Sequence, residues 1–191
     1  MRNLKSRKII RRFFCVLLST HSTWVLYGTD ITTYAQCEEG CVYIQEHNEP
    51  VVLPNVDSCL ALVAQLPNHK TAVAHVAMLS PIPYRIAGAF DSFDSNAADC
   101  MSHDTCYEKN VQFALEEMLR MSKGEKFLHL KAYYTIEEGR AAVSKLAKSA
   151  SLERIHSGSY LLLGQDGKVK SCIGKCKDDS NFHPIHTHHH K

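Results

Sequence analysis

The feature that most constrains this chain is Cys59-Leu60-Ala61-Leu62-Val63, five apolar residues in succession with no polar residue between them. An unbroken run of that length is the pattern of a strand buried on both faces, not of a half-exposed strand, which would alternate. Pro67-Asn68-His69 supplies a turn, and residues 71–78 read as the partner strand, stopped by Pro81 and Pro83.

The other segments fall around this pair. Residues 41–45 form a short strand candidate closed by Asn48-Glu49-Pro50, and residues 88–98 are loop-like in composition. Val111, Ala114, Leu115, Met118 and Leu119 recur at helical spacing, with Glu116, Glu117 and Arg120 on the other side. They predict a helix over 104–121, ended by Ser122-Lys123-Gly124. A strand over 127–134 and a second helix over 137–149 follow; the helix has a basic C-terminal half that suits its dipole. Residues 160–163 and 169–172, joined through Gln165-Asp166-Gly167, read as a hairpin. Hairpins with two principal helices predict an α/β or α+β domain with a mixed sheet of short strands, and exclude a helical bundle.

The ends differ from this body. Arg2, Lys5, Arg7, Lys8, Arg11 and Arg12 all precede the first acid, Asp30. Residues 1–36 therefore read as a basic leader of the secretory or transit type, with Thr33-Tyr34-Ala35 as a candidate cleavage site. Its apolar run, residues 13–18, is too short to span a bilayer, so no integral membrane span is expected. The domain is expected over 37–177, with a tail over 178–191 that carries five histidines from His183 onward and is assigned no metal and no catalytic role. The net charge of +2 leaves the body without the basic stripe and interleaved aromatics of a nucleic-acid footprint.

The eight cysteines carry the next constraint. Apart from Cys15, six form three close couples: Cys37 with Cys41, Cys100 with Cys106, and Cys172 with Cys176. Cys59 stands alone. In an oxidising compartment three disulfides would consume the six, in a connectivity the sequence leaves open, and leave Cys59 as a free thiol. The spacing is wider than the C-x-x-C of zinc sites, so no metal is expected. These features favour export.

Cys59 is also the leading candidate for chemistry, with His75 on the neighbouring strand. A thiol becomes a useful nucleophile when an imidazole takes its proton. Ser58-Cys59 followed by Leu60-Ala61-Leu62-Val63, then Ala74-His75-Val76-Ala77-Met78-Leu79, resembles the chemoreceptor glutamine deamidase (CheD-type) family. The resemblance continues through residues 113–121, Gly124, Leu128-His129-Leu130-Lys131-Ala132, Glu138-Gly139-Arg140 and Asp166-Gly167-Lys168-Val169, and covers about residues 41–172. It implies a CheD-like deamidase fold and a cysteine-dependent amidohydrolase without a cofactor. Cys59 would be the nucleophile, His75 the base and then the acid, and the partner a protein with an exposed glutamine. Val56 and Asp57 stand where that family has glycines, and Leu53 where it has the threonine that supports the histidine. The protein N-terminal asparagine amidases are similar in motif shape, with asparagine as the target.

A second string competes. Cys100-Met101-Ser102-His103-Asp104-Thr105-Cys106-Tyr107 looks like the C-x-x-H-D-x-C-Y helix of secreted phospholipase A2, which implies His103 as base and Asp104 as calcium ligand. The glycine-rich loop that would complete such a calcium site is missing, since residues 84–90 hold one glycine. A third reading is a disulfide-braced binding module with Cys59 buried and no histidine in reach.

Overall fold

The computed structural model describes residues 28–45, 49–67, 69–77, 85–86 and 103–185, with the backbone alone at 85–86 and 103–106. Two short strands, β1 (Ala35–Gln36) and β2 (Cys41–Gln45), lead into β3 (Val51–Val56), β4 (Leu60–Gln65), β5 (Thr71–Val76) and β6 (Arg85–Ile86). Helix α1 (His103–Met121), β7 (His129–Tyr134), α2 (Glu137–Leu146) and β8 (Ser151–Arg154) follow. The described chain then runs through β9 (Ser159–Leu163), β10 (Val169–Ile173) and β11 (His183–Pro184).

These strands make two mixed sheets. One has the order β6-β2-β5-β4-β7-β8, the other β1-β3-β9-β10-β11. The predicted β4–β5 hairpin lies at the centre of the larger sheet, antiparallel, with Ala61 opposite His75. Its unbroken apolar character follows from that position, because both faces are covered. Leu60, Leu62 and Ala64 pack with Tyr107, Val111, Ala114 and Met118 of α1 and with Ala142 and Val143 of α2. The alternate residues Cys59, Ala61 and Val63 pack with Leu53, Val56, Leu161 and Leu163 of the smaller sheet. Helices, larger sheet and smaller sheet are thus three successive layers, an α+β arrangement. Each leucine in these interfaces contributes on the order of 1.5–3 kcal/mol by leaving water.

A third apolar cluster covers the far face of the smaller sheet. There Ile31 and Phe182 close over Val52, Leu162 and Cys172. The folded body consequently reaches beyond 37–177 at both ends: β1 pairs with β3, β11 pairs with β10, and Asp30 bridges to Asp178. Most of the expected leader (residues 1–27), the expected loop over 88–98 and the histidines from His186 onward lie outside the described residues.

The helices and the 160–172 hairpin lie where the pattern puts them, although α2 stops at Leu146, where Ala147 leaves helical geometry. β3 was not expected, since Pro54 and Asn55 interrupt it with turn chemistry. Asn55 adopts φ 50° and the register with β9 shifts between Leu53 and Val56, so the turn residues form a bulge within a strand. One expected disulfide is present, Cys172–Cys176. Cys37 and Cys41, by contrast, are both free thiols.

Candidate active site

The β4–β5 register decides what Cys59 and His75 can do. On β5, Ala72, Ala74 and Val76 face the helices, so Val73 and His75 face the smaller sheet. Cys59, one residue before β4, shares that face with Ala61, which lies directly opposite His75. The thiol and the imidazole are therefore diagonal neighbours on one pleated surface, a relation that puts Cα atoms about 7–8 Å apart and side chains closer.

His75 is 1% exposed, and its ring is held from one side only. Its Nδ1 lies 3.1 Å from the Cys37 carbonyl oxygen. A carbonyl only accepts, so Nδ1 carries the proton and the neutral ring presents a lone pair at Nε2. That Nε2 is buried and has no hydrogen-bond partner among the described residues. Burial holds the imidazole below its ordinary value, against opposing pulls from the Cys37 carbonyl and the Glu39 charge. The group is a neutral base at pH 7.

The thiol is also neutral. Burial pushes Cys59 up to about 12, with further pushes from the Glu39 charge and from its hydrogen-bonding interaction with the thiol. The backbone of Asp57 acts the other way, by hydrogen bonding that favours the thiolate. Of the two carboxylates nearby, Glu39 opposes ionisation more than Asp57 does. The Asp57 carboxylate accepts a hydrogen bond from Ser157 Oγ. No thiol–imidazole hydrogen bond forms, as the unpartnered Nε2 requires.

The segment leading into Cys59 is fastened from both sheets. Thr135 Oγ1, just past β7, donates to the Asp57 carbonyl and lies 3.4 Å from the Cys59 carbonyl. Gly158 N–H donates to the Val56 carbonyl at 3.0 Å. These bonds fix where β4 begins, and hence which way the Cys59 side chain points.

Leu53 is buried between the sheets, with its backbone paired to Leu161, and gives His75 no polar support. The Cys37 carbonyl does that instead. A backbone carbonyl leaves no residue-type signal, which is why sequence reasoning missed it. Glu39 was missed for a related reason: only the turn between β1 and β2 brings it to the thiol.

The competing string lies elsewhere. His103 and Asp104 occupy the first turn of α1, whose apolar residues pack on the opposite face of the larger sheet from Cys59 and His75. Their side chains, and Cys100, lie outside the described residues. Among the described residues no group of three or more His, Cys, Asp and Glu side chains is arranged to hold a metal ion. No described helix is long and apolar enough to cross a membrane. Neither a family model nor a curated protein matches this chain.

Proposed function

We propose that this protein is a cysteine-dependent amidohydrolase that converts a glutamine side chain of a protein substrate to glutamate. The observation that carries the reading is the His75 ring: proton fixed on Nδ1, lone pair on a buried and unpartnered Nε2, with a free thiol diagonally across the same face. An unsatisfied buried acceptor costs about 1–3 kcal/mol, and native structures rarely keep one without a use. The resemblance in motif order to CheD-type deamidases over about residues 41–172 supports the same reading.

In this mechanism the Cys59 thiol gives its proton to His75 Nε2 as sulfur attacks the carboxamide carbon. The C–N bond breaks and ammonia leaves with the proton from His75, now acting as acid. Water then attacks the thioester, His75 again takes the proton, and the free carboxylic acid and thiol are released. With the thiol held at about 12, no ion pair preexists in the resting protein. Proton transfer accompanies attack.

A core role for Cys59 is the competing reading, favoured by its 5% exposure and its suppressed ionisation. The two separate in ammonia release from a glutamine-rich protein. Cys59→Ala and His75→Gln are expected to lower the rate by about 10²-fold or more. Release that survives Cys59→Ala at the wild-type rate would end the amidohydrolase reading.

A further inference from the structure

The turn that holds His75 is bounded by the two remaining free thiols of the described chain, Cys37 and Cys41. It grips the histidine at three points. The Cys37 carbonyl meets Nδ1 at 3.1 Å, Gly40 N–H donates to the His75 carbonyl at 2.7 Å, and Cys41 is the cross-strand partner of His75 on β2. The Cys37 Sγ lies 3.4 Å from the Cys41 carbonyl oxygen, so the two ends of the turn already touch.

The same chain shows that such a spacing can close. Cys172-Ile173-Gly174-Lys175-Cys176 is a disulfide with Cα atoms 5.9 Å apart, and Gly174 within it has φ 85°. Cys37-Glu38-Glu39-Gly40-Cys41 has the same separation and its own left-handed glycine, Gly40 at φ 80°. Cys37 is buried while Cys41 is partly exposed, which gives an oxidant a way in through one sulfur. Mutual hydrogen bonding lowers the Cys41 thiol and raises that of Cys37, so Cys41 is the first to ionise.

We infer that Cys37 and Cys41 form a reversible dithiol–disulfide pair that sets the hold on His75, with small-molecule disulfides such as oxidised glutathione as the oxidant. The Cys41 thiolate attacks the external disulfide, whose S–S bond breaks to release one thiolate that takes up the Cys41 proton. The Cys37 sulfur then attacks Cys41 Sγ, displaces the second small thiolate and passes its own proton to it. Two protein thiols are oxidised and one external disulfide is reduced to two thiols.

Cys41 is fixed in β2 by pairing with β5 and β6. Cys37 is tied at its N–H to the Val52 carbonyl at 2.8 Å, so closing the ring is taken up in the turn between these two anchors, at the Cys37 carbonyl that holds Nδ1. The oxidised form has a slackened imidazole and a slower site; this last step rests on the amidohydrolase reading, whereas the disulfide and its effect on the ring do not.

The test equilibrates the full chain in glutathione buffers from reducing to oxidising, traps free thiols, and cuts with a glutamate-specific protease after Glu38 and Glu39. Cys37 and Cys41 then sit on separate peptides joined only by their own disulfide. The linked pair is expected to appear under oxidising buffer and to vanish under reducing buffer. Alkylation of both cysteines in every buffer in which Cys172–Cys176 is oxidised, or linkage of either to a third cysteine, overturns the inference. Nitrogen shifts of the His75 ring should change between the two forms in the wild type and stay constant in Cys41→Ser; an unchanged ring overturns the coupling.

Ammonia release should fall at least about tenfold on oxidation and be insensitive to oxidant in Cys41→Ser. If neither form releases ammonia, the amidohydrolase reading has failed, and the thiol pair is still judged by peptide linkage and the ring shifts. Cys41→Ser is chosen because Cys37 is fully buried and its replacement risks the fold.

Discussion

His75 illustrates how a single residue's surroundings dictate a measurable curve. Its folded value lies below 6.5 because burial penalises the charged ring more than the Cys37 carbonyl and Glu39 favour it. The proton that disables the base is therefore taken up only at pH below the ordinary imidazole range. Cys59 ionises only near 12, so it adds no limb at neutral pH. The expected kcat/KM profile for ammonia release is flat from about pH 7 to 9, with a single acid limb whose midpoint falls below 6.5. A preformed thiolate–imidazolium pair would instead give a bell with two limbs, and observing one would contradict the neutral-pair mechanism. The candidate pair itself was legible in the sequence, since a two-strand apolar hairpin places Cys59 and His75 on one face once it pairs antiparallel. Their support was not. The carbonyl of Cys37, the hydroxyl of Thr135 and the carboxylate of Glu39 arrive from three separate segments, and only the folded chain joins them.

At the scale of elements, legibility tracked how strongly local pattern and tertiary role agreed. Helix α1 repeats the helical period, the β9–β10 hairpin joins an apolar run to its partner through an Asp166-Gly167 turn, and both formed as expected. β3 did not signal itself, because Pro54 and Asn55 read locally as a turn while Val51, Val52 and Leu53 are fully buried strand residues. Burial on both sides outweighs the local preference there. The residues just before Cys37 were equally silent about their tertiary role. Ile31 is 5% exposed, and its backbone N–H donates to the Lys177 carbonyl at 3.1 Å, so the segment before Cys37 is part of the cover over the smaller sheet. A chain beginning at Cys37 should be less stable than one beginning at Gly28 by about 2–5 kcal/mol, with Ile31→Ala accounting for most of the loss. Urea unfolding of the three proteins measures this; equal midpoints would mean that the 28–36 segment adds nothing. The same comparison bears on export, because cleavage after Ala35 would discard Ile31.

For the whole molecule, the interface between the two sheets is where titration and folding meet. Four buried groups with shifted values lie there: His75, Cys59, Tyr133 and Cys37, whose thiol is raised chiefly by hydrogen bonding with Cys41. His75 is neutral when folded and has a lowered value, so its contribution is complete above 6.5 and is lost as pH falls through the folded value. Cys59 and Tyr133 are also neutral when folded, but their values are raised, chiefly by burial. Their contributions are complete below the ordinary values of 9.0 and 10.0 and are lost as pH rises beyond them, for Cys59 until about 12. Stability is therefore expected to be level between about 6.5 and 9 as far as these groups are concerned, and to slope away on both sides. Each alkaline group adds a slope of at most about 1.4 kcal/mol per pH unit, reduced by whatever water reaches it. Urea midpoints measured from pH 5 to 11 should show the plateau. Cys59→Ala should make the decline that begins at 9 shallower, Cys37 carrying the remainder, and Tyr133→Phe should remove the part that begins at 10. His75→Gln should flatten the acid side alone. An alkaline decline from 9 that is equally steep in wild type and Cys59→Ala would mean that the thiol ionises without disturbing the fold, and that Cys59 is more open to water than its position between the sheets implies. Such accessibility would weaken the neutral-thiol mechanism, because a solvated thiol close to 9 would supply thiolate without help from His75.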